Sequence, residues 1–197
     1  MQLILASTSK TRAALLAAAH IAFDTVPPRV DEQAILQALI AEEAKPHDIA
    51  DALAEMKARK VADKYPTALV IGCDQVLECQ GQIFSKPTDI DTARAHLNLL
   101  RGQTHRLLSA VVIYHEAKPI WRYMGKAALT MRDFSNQYRD DYLDRNWHQC
   151  QYSVGAYQLE SEGIRLFSRV EGDHNTILGL PLLPVLTYLG DRGFIAS

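Results

Sequence analysis

The chain is poor in the residues that announce a secreted, membrane or nucleic-acid-binding protein. It has only three cysteines in 197 residues, Cys73, Cys79 and Cys150, and they form no CxxC pair. An odd count with no metal-like spacing argues against a disulfide framework and for reduced thiols, with Cys73 as a small buried residue. No stretch approaches the ~18 apolar residues of a membrane helix, so no membrane partner is expected. The N-terminal "MQLILASTSK" has no basic segment ahead of its four-residue apolar run, so it does not read as a signal peptide and a cytoplasmic location is expected. Lys and Arg number 21 against 23 Asp and Glu, a net charge of -2. That balance gives no positive field to recruit nucleic acid, and an anionic ligand must be held by local groups. There is no Gly/Ser linker, repeat or low-complexity run. At 48% hydrophobic the chain can bury one core, and a single domain over residues 1–197 is expected.

Familiar catalytic signatures are missing too. There is no GxxxxGK[ST] phosphate loop, no GxGxxG, no GxSxG and no HExxH. "STSK" (Ser7–Lys10) matches the SxxK of serine acyl-enzymes, but the companion SDN and KTG elements of that class are absent. The seven histidines form no metal constellation. His148 and Cys150 could share a strand face, yet two ligands do not make a zinc site.

What is present alternates between strand and helix. "LILA" (Leu3–Ala6) and "IAFDTV" (21–26) read as strands, "TRAALLAAAH" (11–20) and "VDEQAILQAL" (30–39) as helices. The clearest amphipathic helix spans His47–Lys64, with Ile49, Leu53, Met56 and Val61 at helical spacing. "ALVIGCD" then reads as a buried strand ending at an acid, Asp74. "QVLECQGQIF" follows as a hairpin turning at Gln80-Gly81. A helix at 89–100, a strand pair from "HRLLSAVVIY" and "IWRYMGKAALTM", and a polar helix capped by Ser135 come next. "GIRLFSRV" reads as a strand, and "LGLPLLPVLTYLG" as a strand end followed by a helix opened at Pro181. Without strict βαβ alternation, the class expected is α/β with a mixed sheet flanked by helices.

Several islands set charge in core-like surroundings. "ASTSKTR" is a strand–loop–helix junction whose N–H groups and dipole suit a phosphate, with hydroxyls from Ser7, Thr8 and Ser9 and charge from Lys10 and Arg12. The same residues are equally compatible with a plain cap at Ser9 and two solvated cations. Asp31-Glu32 follows a proline pair, Lys57 lies four residues from both Leu53 and Val61, and Lys86 precedes Pro87 in an extended loop. A capping acid, a snorkelling lysine and a turn lysine are the plain alternatives. As a set they suit metal-assisted attack on a polyphosphate. Glu32 and Asp74 offer oxygen ligands to a hard cation, and Lys57, Lys86 and Arg12 can neutralise phosphate charge.

The segments "LILASTSKTRAALL", "VDE", "LAEMKA", "VIGCDQV", "SKP", "LRGQTH", "VGAY" and "EGDHNTILGLPL" together resemble, in order and spacing, the Maf (septum formation) family. The likeness runs from Leu3 to about Leu189. It implies an elongated mixed α/β fold with a central cleft, similar to the inosine-triphosphate pyrophosphatases. It also implies a nucleoside triphosphate pyrophosphatase that cleaves between the α- and β-phosphates with a divalent cation, Mg2+ or Mn2+, and works as a homodimer. Carried over residue by residue, Ser9 and Arg12 match the phosphate loop, with Lys10 beside them. Glu32, Lys57, Asp74 and Lys86 match the catalytic acids and lysines, Glu32 and Asp74 being the metal-binding pair. Asp74 would orient or deprotonate the attacking water; a free Asp has a pKa near ~3.9, so metal polarisation of the water would supply most of the activation. The loop departs from the family's S-x-S-P pattern: Lys10 replaces proline, Thr11 stands where many members carry arginine, and Ala13 is neutral. Loss of the fixed proline φ loosens the loop, and a lysine is a point charge rather than a fork.

Base choice rests on two positions. The 7-methyl-GTP branch of the family looks like D-Q-V with a later glutamate, the dTTP/UTP branch like D-T-V with a glutamine. This chain has Gln75 and Glu160. A carboxylate accepts from both N1–H and the N2 amino group of guanine and favours the positive charge left by N7 methylation. At about 4 Å and an effective dielectric of about 20, one such charge pair gains about 4 kcal/mol before desolvation. Uracil and thymine oppose a carboxylate with two carbonyls. Neighbouring Glu162 leaves the register open. Tyr157, Trp121 and Tyr123 could stack on a base but suit a core equally, and His105 reads as structural. A dTTP/UTP pyrophosphatase and a non-catalytic nucleotide-binding regulator of division are the competing readings.

Overall fold

The computed structural model describes residues 1–196. Fourteen elements follow in chain order. The first seven are β1 (Leu3–Ala6), α1 (Lys10–Ala18), β2 (Asp24–Thr25), α2 (Glu32–Ala41), α3 (Pro46–Ala62), β3 (Leu69–Cys79) and β4 (Gln82–Phe84). The other seven are α4 (Ile90–Leu100), β5 (Thr104–His115), β6 (Lys118–Met131), α5 (Asn136–Cys150), β7 (Phe167–Glu171), α6 (His174–Ile177) and α7 (Leu182–Asp191). The strands pair in the order β2-β1-β3-β5-β6-β7, with β4 on β3. β1 runs parallel to β2 and β3, while β3–β4 and β6–β7 are antiparallel. The sheet is mixed, as the alternation of patterns implied.

By contact the chain divides into two compact units. The first comprises Met1–Gln75, Ser109–Gly125 and Asp173–Ser197, the second Val76–Leu108 and Lys126–Gly172.

In the first unit β1 is buried along its whole length, as expected of a parallel strand covered on both faces. Its register with β3 runs from Leu3 opposite Leu69 to Ala6 opposite Gly72. Leu5, Ile71 and Cys73 pack with Leu16 of α1, Val111 and Ile113 of β5, and Val185 and Leu189 of α7. The β5–β6 turn is two residues, Glu116 and Ala117, both with positive φ (50° and 56°), the twist a tight hairpin needs. β2 shrinks to Asp24–Thr25, because only Ile4 and Leu5 pair with it and a proline pair follows. The strand end expected at Leu178–Leu180, just before Pro181, is instead a turn that follows the short helix α6.

Asp74 is a second correction: it lies in the middle of an eleven-residue strand, not at the end of one. Its charge has a partner inside the fold, so an acid does not break the strand. Side chains alternate along β3. A Cβ built on Gly72 would lie 2.3 Å from Ala54 O and 2.8 Å from Ala58 Cβ, so Gly72 faces α3. Asp74, two residues on, faces α3 as well. Cys73 and Gln75 face the other way, towards α7 and the segment before it.

The second unit holds the β3–β4 hairpin, α4, α5 and β7. The hairpin turns at Gln80-Gly81, both with positive φ, and buried Glu78 accepts from Gly81 N–H (2.7 Å) and Arg106 Nε (2.7 Å). Arg139 of α5 reaches Asn98 of α4 at 2.6 Å. His105 is fully buried, 2.7 Å from the Tyr157 hydroxyl, and burial lowers its pKa to about 4. It is a neutral structural histidine.

Gly72 is what lets α3 lie against β3. Gly72→Ala is expected to destabilise the fold by about 1–3 kcal/mol through overpacking, read from chemical denaturation. An unchanged unfolding midpoint would mean α3 does not need this clearance.

Candidate active site

Three charged residues of the first unit, Glu32, Lys57 and Asp74, meet at α3. This helix starts at Pro46, carries Asp48 in its first turn, and buries Ile49, Ala50, Leu53, Ala54, Ala58 and Val61. Lys57 falls on that buried face, with a side chain 6% exposed. An isolated ammonium there would be costly, and it is paired twice. Its Nζ lies 2.5 Å from Asp74 Oδ1 and 3.0 Å from Glu32 Oε2. Glu32 comes from the first turn of α2, a helix capped by its neighbour Asp31, whose Oδ1 accepts from Ala34 N–H at 3.0 Å. The two acids of "DE" thus divide their labour: one caps and the other reaches the lysine. Asp74 is buried at 9%, Glu32 half open at 45%.

Asp74 Oδ2 and Glu32 Oε1 have no hydrogen-bond partner among the described residues. They are free to take a cation or a water. No group of three or more His, Cys, Asp or Glu gathers for a metal among the described residues.

The phosphate-loop residues lie at the start of α1. Ser9 caps the helix: its Oγ accepts from Arg12 N–H at 3.3 Å, and Ser7 Oγ accepts from Ser9 N–H at 3.1 Å. Lys10 is exposed and forms no ion pair among the described residues. Arg12 spends most of its fork on the fold, Nε donating to Gly179 O (2.8 Å) and Nη1 to Cys73 O (3.0 Å). Nη2 has no such partner among the described residues.

Gln75, the neighbour of Asp74, also serves the fold. Its Nε2 donates to Ser109 Oγ (2.8 Å), Thr176 O (3.1 Å) and Ile177 O (3.0 Å). Sequence reasoning missed Ser109, Thr176 and Gly179. The one available signal was a lone hydroxyl, Ser109, inside the apolar run "LLSAVV". Cys73 is no nucleophile: burial pushes its thiol up to about 11, against the opposing pull of Arg12 and Lys57.

Lys86 and Glu160 belong to the second unit and are both exposed. Glu162 is committed within that unit. It accepts from Arg145 Nη2 (2.7 Å) and Asn146 Nδ2 (2.8 Å), and these bonds, Arg145 first, lower its pKa to about 2. Glu160 makes no ion pair among the described residues, so of the two acids it is the one available to a ligand. Of the three candidate rings, Trp121 stacks on Tyr188 at 5.0 Å and Tyr157 is buried against Phe167 at 4.8 Å, while Tyr123 stacks on Trp121 at 5.9 Å and stays exposed.

A domain described as "Maf-like protein" matches residues 2–192. The chain is 53% identical over 193 residues to a nucleoside triphosphate pyrophosphatase of Ruegeria pomeroyi, covering 98% of this chain and 97% of that protein. It is 50% identical over 189 residues to one from Caulobacter vibrioides, covering 96% and 94%. It is 46% identical over 189 residues to a 7-methyl-GTP pyrophosphatase of Brucella abortus, covering 96% and 95%. The chain belongs to the Maf family.

Because Lys57 and Asp74 are buried together, removing Lys57 leaves the aspartate without a cation, while removing Asp74 leaves Lys57 with Glu32 alone. Lys57→Met and Asp74→Asn are each expected to destabilise the protein, by about 3–5 kcal/mol for the larger effect. The double variant should cost clearly less than the sum in a double-mutant cycle. Strict additivity would show that the pair is not coupled.

Proposed function

We propose that this chain is a nucleoside triphosphate pyrophosphatase that cleaves between the α- and β-phosphates, releasing a nucleoside monophosphate and pyrophosphate. The observation that carries this reading is the Glu32–Lys57–Asp74 cluster, on a chain similar over nearly its full length to proteins of that name. Water attacks phosphorus, one P–O bond forms, and the bridging P–O bond breaks with pyrophosphate leaving.

Each residue has a role in this reading. Asp74 holds the attacking water through the oxygen that Lys57 does not engage. Lys57 holds two carboxylates close together and offers positive charge as phosphate oxygens gain electron density. Arg12 presents Nη2 to a phosphate, Ser9 its hydroxyl hydrogen and Lys10 a mobile charge; Lys86 supplies a further cation. Glu32 and Asp74 would hold a Mg2+ or Mn2+ ion. Two carboxylates, each with one oxygen that no described residue engages, are the ligand type such a cation takes. When bound, the ion lowers the pKa of water and screens phosphate charge. The protein is proposed to act as a single Maf-like domain over residues 1–197, as a homodimer, on the cytoplasmic nucleotide pool. No helix among the described residues is long and apolar enough to cross a membrane.

The proposed substrate is a guanine nucleotide of the 7-methyl-GTP kind, with Glu160 accepting from the base edge. The free carboxylate of Glu160, beside a Glu162 already tied down, supports it.

A panel of nucleoside triphosphates with magnesium or manganese tests the activity. Wild type should release pyrophosphate, and Asp74→Asn should lose turnover by at least about 100-fold while still binding nucleotide. Wild type that binds nucleotides and turns none over would favour the regulator instead. Glu160→Gln should move preference from guanine-type substrates towards UTP or dTTP, and an unchanged profile would remove Glu160 from base recognition.

A further inference from the structure

β7 is the last strand of the sheet and pairs with β6 alone. Its register sets Glu171 opposite Ala128, Val170 opposite Leu129 and Arg169 opposite Thr130, then skips to Phe167 opposite Met131. Ser168 is the extra residue of a bulge, and its Oγ turns back to donate to Thr130 O at 3.3 Å. At the other end Gly172 has a φ of 120°, and a Cβ there would lie 2.8 Å from Ala127 Cβ. The bulge and the glycine bound a short regular edge, Arg169, Val170 and Glu171, all exposed. The backbone N–H and C=O groups on its outer side have no partner among the described residues. This edge lies wholly within the second unit.

Unpaired edges are commonly guarded by charges of one sign, which repel a second copy of the same strand. Arg169-Val170-Glu171 attracts one. When two β7 strands meet antiparallel about a two-fold axis at Val170, Arg169 faces the partner's Glu171, and Glu171 faces the partner's Arg169. Opposed residues share a face of the sheet. Both ion pairs therefore form on the face where Arg169 Nη2 already donates to Glu171 Oε1 at 2.7 Å. The two Val170 side chains meet on the other face, that of buried Leu129, and Val170 is 40% exposed in the single chain. The internal pair does not exhaust the charges: Arg169 Nε and Nη1 and Glu171 Oε2 have no partner among the described residues. Moving the axis to either neighbour would set Arg169 against Arg169 or Glu171 against Glu171, which repel. The charges thus select one register.

We propose that β7 is a pairing surface for a second copy of this chain, the two strands joining antiparallel about Val170 into one continuous sheet. The interface is isologous and closed, because pairing uses up this edge in both copies. So short a strand pair is a small contact, which makes the dimer concentration-dependent and its specificity a matter of the Arg169 and Glu171 charges. The surface deepens the homodimer reading and rests on it; it is independent of the pyrophosphatase reading.

The test is sedimentation equilibrium of the full chain across the micromolar range. Wild type is compared with Arg169→Glu, with Glu171→Arg, with the double variant, and with an equimolar mixture of the two single variants. The ion pair within one chain is exposed and contributes little to the fold, so circular dichroism should show every variant folded like wild type. Wild type should dimerise. Each single variant sets like charges against each other at both pairs and should raise the dimer Kd about tenfold or more. The double variant exchanges the charges, restores both ion pairs and should dimerise as wild type does. In the mixture the two single variants complement one another and should form a heterodimer. Single variants that dimerise as tightly as wild type would overturn the proposal and leave the homodimer reading standing, with its interface elsewhere. Monomeric single variants that recover in neither the double variant nor the mixture would overturn it too. A wild type that stays monomeric throughout would end the proposal and the homodimer reading together, while pyrophosphate release by the same sample judges the catalytic reading separately.

Discussion

A buried ammonium between two carboxylates is the constraint around which the first unit is organised. Lys57 is 6% exposed, with Asp74 at 2.5 Å and Glu32 at 3.0 Å. Burying a charge costs several kcal/mol unless its partners are well placed. The backbone around it follows from that requirement. Gly72 has no Cβ, so α3 comes close enough for Lys57 to reach across to β3. Asp31 caps α2 and sets Glu32 in its first turn, facing the same lysine. An Asp in the middle of a core strand becomes tolerable only because the lysine is there.

β3 is then a wall packed on two faces. One carries Gly72 and Asp74 against α3. The other carries Cys73 and Gln75 against the core and the segment ending at Pro181. Arg12 ties the faces together, donating to the carbonyl of Cys73 and to that of Gly179. A site built on a strand buried on both sides is held more rigidly than one built on loops. Rigidity of this kind suits a reaction whose catalysis is mainly positioning and charge stabilisation.

Much of this was legible in the sequence, and the misses have physical causes. The helix periodicity of 47–64, the caps at Ser9 and Ser135, and the turn at Gln80-Gly81 are local features and were visible. Lys57 stood out because it shares a face with Leu53 and Val61. The strand through Asp74 is longer than its pattern implies, because an acid beside an amide looks like a strand end. Only tertiary partners, Lys57 on one side and Ser109 and Thr176 on the other, make that pair compatible with a core. The carbonyls that the Gln75 amide meets 101 residues away are invisible along the chain, because a sequence shows only neighbours in order. The strand end expected at Leu178–Leu180 is a turn instead, because the short helix α6, capped by Asp173 through Thr176, runs directly into it.

The central claim is that Lys57 makes the acid pair usable for chemistry, beyond stabilising the fold. The most direct test is the single-turnover rate of Lys57→Met against wild type, at a temperature where circular dichroism shows both folded. The account predicts a fall of about 100-fold or more in the rate of pyrophosphate release, with nucleotide binding still measurable. A rate within a few-fold of wild type would contradict it.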